Sequence, residues 1–241
     1  MPKTFGRQRE YMDGWRAIGI DPAPKKDAVV CTGGMWTDVA PDALRDFVVG
    51  AVAQSRMTLI AWDAPLSYDR VNHSDRRVDR AARAWAKRQV ELGRFEPKAI
   101  NALPFAGVPH WAVTCHALGM PFGDPPGGLR LAADTTLEGP VAIEVHPAVA
   151  LGAWWIEAGC SDPMPRYKQD PTACARIVSV LGLPAAAAVS DDALDAYVAW
   201  RLGELFLAGA ACWVGNPAVG GYVMPRCAAT DELLEIYRDL P

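Results

Sequence analysis

The run Arg16-Ala-Ile-Gly-Ile-Asp21 sets the reading of this chain. Its unbroken small and apolar residues have the length of a buried strand, and Pro22 and Pro24 stop it. A carboxylate closing such a strand is costly to bury unless a cation compensates it. The same punctuation recurs along the chain. Thr58-Leu-Ile-Ala-Trp-Asp63 ends on an aspartate, with Pro65 just beyond. Val141-Ala-Ile-Glu-Val-His146-Pro147 places Glu144 and His146 on one strand face, alternating with Ile143 and Val145. Asp191, Asp192 and Asp195 open a long apolar helix pattern. Carboxylates gathered at strand ends and a helix start suggest a shared cavity for hard divalent cations.

Working outward, Asp27–Thr32 reads as a second strand, and Gly33-Gly34 as a hairpin turn into Met35-Trp36-Thr37. Residues 41–54 form a helix whose Leu44, Phe47, Val48, Ala51 and Val52 make one stripe. The stretch from about His73 to Leu92 is helical by composition. Residues 97–140 are rich in loops, with a short helix around Trp111–Leu118. A strand at Val141–Val145 precedes helices at Ala148–Ala158 and Thr172–Leu181, and Ser190 is placed to cap a helix over Asp191–Leu207. Cys212–Val214 and Gly221–Met224 read as short strands, and Thr230–Leu240 as a last helix. A β-meander followed by α/β crossovers predicts an α/β fold, with a mixed sheet flanked by helices on both faces. Ligands of such sheets gather at the carboxyl ends of parallel strands, where Asp21 and Asp63 would lie.

Each acid also has a plainer reading. The alternative for Asp21 and Asp63 is a turn acid at a proline-containing turn, and for His146 a hydrogen-bonded histidine at a strand end. Asp191 and Asp192 are accounted for by the helix macrodipole. Asp195 lies one turn further in, where aspartate is a poor helix former. It shares a small-residue face with Asp192, Ala196 and Ala199, suited to close packing on a sheet end. Residues 1–13 read as a loose polar arm.

With 51% hydrophobic and 22% charged residues, the 241-residue chain has the composition of a soluble globular protein with a sizeable core. No linker divides it, so one domain over 1–241 is expected, with a helical, loop-rich insertion at about 67–140. Six scattered cysteines form neither a disulfide framework nor a zinc pattern, which fits a reduced, cytoplasmic setting. The longest apolar stretch, Leu205 to Gly215, is too short to span a bilayer, so no membrane partner is expected. The net charge of -4 gives no global basic footprint. Between Arg70 and Lys98, however, nine Lys/Arg face four Asp/Glu, a local surplus of +5. That segment either steers a polyanion to one face or is a solvated helix laced with pairs such as Asp79–Arg83. The tryptophans read as core, with base stacking open to those in the loop-rich middle, such as Trp111.

Taken in order, several segments resemble a known family. They are Gly19-Ile-Asp21, Trp62-Asp63-Ala-Pro-Leu-Ser67, Arg76-Arg-Val-Asp79-Arg-Ala-Ala-Arg83, Glu144-Val-His-Pro147, Tyr167-Lys168 and Asp191-Asp-Ala-Leu-Asp195-Ala. The pattern is similar to the ribonuclease H-like fold, closest to its Holliday-junction resolvase branch. More narrowly, it resembles domain-of-unknown-function family 429, described as predicted ribonuclease H-like nucleases. The resemblance implies a ribonuclease H-like sheet and a metal-dependent nuclease. Asp21, Asp63, Asp192 and Asp195 would be ligands of Mg²⁺ or Mn²⁺, with Glu144 close by and Lys168 as the family's late lysine, stabilising charge at the scissile phosphate. His146, from its own strand face, would shuttle a proton or orient a water. Arg76, Arg77, Arg80 and Arg83 would hold phosphates of a nucleic acid partner. The rival expectation is a non-catalytic member of the fold that binds a partner or a small phosphorylated ligand. No glycine-rich phosphate loop follows Asp21, which ranks ATP low.

Overall fold

The computed structural model describes residues 14–67, 75–100, 107–120, 123–134, 137–168 and 170–241, with backbone alone at 107 and 108. The expected polar arm, Arg70 and His73 lie outside the described residues. Five elements build the first half of the sheet. These are β1 (Arg16–Asp21), β2 (Ala28–Thr32), β3 (Met35–Val39), α1 (Leu44–Gln54) and β4 (Thr58–Trp62). Gly33 and Gly34 have φ of 59° and 77°, the left-handed pair that a two-residue hairpin turn requires. Then come α2 (Arg77–Glu91), α3 (Gly107–Leu118), β5 (Arg130–Leu131), β6 (Val141–Glu144) and α4 (Pro147–Glu157). The chain continues through α5 (Pro171–Val180), α6 (Asp191–Leu207), β7 (Ala211–Asn216), β8 (Gly220–Pro225) and α7 (Ala228–Asp239). The fold is α/β, with seven α-helices among the described residues. None of them is long and apolar enough to cross a membrane.

Six strands form one mixed sheet in the order β3-β2-β1-β4-β6-β5. The meander β1-β2-β3 is antiparallel, while β1, β4, β6 and β5 run parallel. Strand alternation sends side chains to two separate cores. Ile18, Ile20, Ile60 and Trp62 pack under Leu44, Val48 and Val52 of α1 and Leu118 of α3. Ala17, Leu59, Ala61 and Ile143 pack on the other face with Leu194, Ala196, Ala199 and Leu202 of α6. Helices therefore cover both faces, as the crossover pattern predicts.

Two features depart from the sequence reading. The two-residue strand β5 lies within the stretch expected to be loop, because pairing with β6 orders it despite its length. The strands β7 and β8 pair only with each other in a separate hairpin, apart from one bridge between Val145 and Val223. All six cysteines are free thiols.

The helix α6 decides where the site forms. Ser190 caps it, its hydroxyl accepting from the Ala193 amide at 3.0 Å. A Cβ at Gly19 would stand 2.1 Å from the Trp200 amide nitrogen and 2.3 Å from the Ala196 carbonyl oxygen. A Cβ at Gly203 would stand 2.9 Å from the Ala17 Cβ. At Gly19 helix backbone and central strand thus touch with no side chain between them, while at Gly203 the bare helix backbone receives the Ala17 Cβ. Gly19→Val should destabilise the fold by about 3 kcal/mol or more, because the clash is with backbone that no rotamer can relieve. Chemical denaturation of the variant against the parent chain measures this.

Candidate active site

Parallel register brings the first two carboxylates together. Ile20 lies beside Trp62, and the Asp63 amide donates to the Ile20 carbonyl at 3.0 Å. Asp21 and Asp63 therefore continue neighbouring strands in phase with Gly19 and Ala61, on the sheet face that α6 covers. Asp195 comes from the second turn of α6 and is 1% exposed. Its Oδ1 accepts from the Tyr167 hydroxyl at 2.7 Å, and its Oδ2 is ion-paired with the Lys168 ammonium. Asp192 is more peripheral and pairs with Lys26. The carboxylates of Asp21 and Asp63 take no hydrogen bond from any described residue.

Three close carboxylates thus face the Lys168 ammonium, with Lys26 acting on Asp21 from the Asp192 side, and the electrostatics reflect the crowding of negative charge. Burial, then the charges of Asp63 and Asp195, pushes Asp21 well above the ordinary carboxylate range. Asp63 is raised by burial and by Asp195. Asp195 is raised by burial, although Lys168 and the Tyr167 hydroxyl pull it back. Lys168 loses hydration, yet the anions around it, Asp195 first, hold its proton well above the lysine norm. The donor set is all carboxylate oxygen, the chemistry that suits Mg²⁺ or Mn²⁺. Among the described residues, no group of three His, Cys, Asp or Glu is already arranged as a metal shell. The residues fit a divalent ion in donor type and in surplus charge, and the two carboxylates without donors are the ones whose oxygens stay open to it.

Glu144 belongs to a different constellation. One residue out of phase with Asp63, it faces the turn after β4, where its Oε2 accepts from the Leu66 amide at 2.8 Å. The Arg76 guanidinium grips both of its oxygens, at 2.7 and 2.9 Å. The same guanidinium donates to Asp79 at 2.9 and 3.0 Å, and the Tyr222 hydroxyl of β8 also donates to Asp79. Arg76 and Asp79 are each 2% exposed. Every group in this cluster has an opposite charge or a donor, and the network ties β6, the β4 turn, α2 and β8 together. His146, at the N-cap of α4, lies edge-on to Tyr222 with ring centroids 5.1 Å apart. Burial lowers its pKa to about 4, so it is neutral at pH 7, and its buried Nδ1 has no hydrogen-bond partner among the described residues.

The expected phosphate contacts fall elsewhere. Arg76 is an interior cation whose guanidinium is engaged on both sides, so it has nothing left to offer a phosphate. The Asp79–Arg83 pair gives way to Arg76–Asp79 and Arg83–Asp75, because helix α2 turns Asp79 inward. Arg77 donates to the Arg238 carbonyl and stacks on Tyr237, and Arg80 donates to the Pro241 carbonyl. Arg88 pairs with Glu232 and Lys87 with Glu91. Lys87–Glu91, at 3.9 Å, is a local i,i+4 pair of the kind the charge pattern also allowed, whereas Arg77, Arg80 and Arg88 reach across to α7 and the residues after it. Two contributors carry no sequence signal of their own. Tyr167 stands out in the chain only as the neighbour of Lys168, and Tyr222 sits in an apolar strand whose docking on α2 no local pattern reveals.

No protein-family model, curated protein or solved structure matches this chain.

Arg76→Met should cost about 3–5 kcal/mol in stability, because it strands two buried carboxylates. Adding Glu144→Gln and Asp79→Asn to that variant should recover part of the loss, as urea denaturation would show. The acidic cluster carries the opposite sign. A carboxylate raised above its ordinary value of 3.8 binds its proton more tightly when folded. Its contribution to stability is therefore full below that value and is lost as pH rises through the folded pKa. In chelator, Asp63→Asn should melt higher than the parent chain at pH 8, by about 1 kcal/mol in stability, and the gap should close on acidification towards pH 4. Thermal melts across this pH range check it.

Proposed function

We propose that the chain is a ribonuclease H-like, metal-dependent phosphodiesterase acting on nucleic acid. One observation carries the reading: Asp21, Asp63 and Asp195 converge from two parallel strand ends and a helix, with more negative charge than Lys168 balances. An antiparallel meander continued by parallel strands, with acids at those positions, is the arrangement the sequence resemblance leads one to expect. Asp21 and Asp63 would hold Mg²⁺ or Mn²⁺, with Asp195 and the peripheral Asp192 completing the charge around it. A divalent ion bound there supplies a Lewis acid that activates water and stabilises the leaving oxygen. Tyr167 and Lys168 fix the Asp195 carboxylate through both of its oxygens. Lys168, 43% exposed, also presents positive charge toward an incoming phosphate. His146, neutral at pH 7, is a proton acceptor beside the two clusters. Glu144 acts indirectly, by holding the turn that follows Asp63.

A second reading has its own support. Asp192 and Asp195 are already paired with ammonium groups, and the basic helix engages its cations with the chain itself. A non-catalytic member of the fold, binding a partner or a small phosphorylated ligand, accounts for both.

Calorimetric titration with Mn²⁺ separates the two. The nuclease reading expects binding by the parent chain, at least tenfold weaker in Asp21→Asn/Asp195→Asn, and Mn²⁺-dependent cleavage within a panel of DNA and RNA substrates. Absence of binding in both proteins, or binding without cleavage of any substrate, refutes it. A rise in melting temperature with ATP but not with an oligonucleotide favours the second reading.

A further inference from the structure

A cavity of about 520 Å³ opens on the far side of α6, framed by α4, the end of α5 and α6 itself. Such a volume is in the range that holds small organic ligands. Tyr197, Arg201 and Leu205 line it from α6 at i, i+4 and i+8, so they form one stripe of the helix. Tyr197 lies two residues beyond Asp195, about 200° around the helix axis, which separates this cavity from the acidic cluster. Trp154 supplies a second aromatic wall, and Leu181 and Leu183 close the apolar side. Gly182, with φ of 63°, turns the chain at the rim, and a Cβ built there meets nothing within 4 Å. The space is therefore not filled by neighbouring side chains at that edge.

The lining is apolar with a single charge. Arg201 is exposed at the mouth and forms no ion pair or hydrogen bond with a described residue. The Tyr197 hydroxyl likewise has no hydrogen-bond partner among the described residues. A guanidinium over an aromatic-walled hollow matches one kind of occupant in both parts. The apolar body packs against Trp154 and the leucines, beside a Tyr197 ring that is itself held by stacking on Trp36, and the planar fork takes a carboxylate through two parallel hydrogen bonds. A nucleotide is a poorer match, because several phosphate charges would meet only one cation.

We propose that this cavity binds a small organic acid with an aromatic or medium-chain apolar body, its carboxylate held by Arg201. The site is independent of the acidic cluster and of the phosphodiesterase reading. The test is calorimetric titration of the full chain with 2-naphthoate, and with 2-naphthalenemethanol as its uncharged counterpart. The expected result is saturable binding of 2-naphthoate at one site, weakened about tenfold or more by Arg201→Gln, with binding of the alcohol unchanged by that substitution. Ala158→Trp, a surface change that fills the cavity from the end of α4, should abolish binding of both while leaving the melting temperature near that of the parent chain. No saturable binding of 2-naphthoate by the parent chain, a smaller effect of Arg201→Gln, or full binding by Ala158→Trp overturns the proposal.

Discussion

The contact of the α6 backbone with β1 at Gly19 is the constraint on which the rest of the molecule depends. Two backbones approach this closely only where neither interposes a side chain, and Gly19 meets that condition against the Ala196 carbonyl and the Trp200 amide, while Gly203 leaves room for the Ala17 Cβ. The approach draws the start of α6 down onto the carboxyl end of the sheet. Asp195 then shares a volume with Asp21 and Asp63 in place of facing solvent from a helix surface. Apolar burial on both faces of the sheet supplies the driving force, while the missing side chains set the distance.

Two neighbouring groups of buried acids are handled in opposite ways. Around Arg76, each carboxylate oxygen meets a guanidinium, a hydroxyl or an amide, so the cluster is internally complete and works as a structural tie. Around Asp21 and Asp63, buried carboxylates face each other with ammonium groups only alongside, and burial and mutual repulsion raise their proton affinity. The second arrangement costs local stability. Strain and raised proton affinity of this kind cluster at functional sites. The same contrast explains why Glu144, so similar to Asp63 in sequence context, plays a different part. A register offset of one residue turns it to the other side of the sheet.

Much of this is legible in the chain. The strand ending at Asp21, the Gly33-Gly34 turn, the stripe of α1 and the full extent of α6 follow from periodicity, turn chemistry and the Ser190 cap. The convergence of Asp21, Asp63 and Asp195 is legible because parallel strands and a small-residue helix face constrain where their ends go. What stays hidden depends on partners far away in sequence. Arg76 looks like one more cation on a basic helix, since nothing local says that Glu144 and Asp79 will enclose it. The β7–β8 hairpin reads as two strands without a sheet, because strand pattern does not name a neighbour. β5, only two residues long, is ordered by β6 rather than by its own propensity.

The seating of α6 on β1 also orders events in time. β1 is the third strand of six, flanked early by β2 and β4, yet the face bearing Gly19 stays uncovered until residues near 200 have been made. Contacts of such long sequence separation close slowly, since the loop entropy is lost before the burial is gained. A growing chain must therefore carry an exposed apolar strip, Ala17, Leu59 and Ala61 among it, until α6 has been made. The closing helix is itself rich in alanine and capped by Ser190, features that let it form locally before it docks. The interval before that docking is when this apolar strip is most open to misassociation.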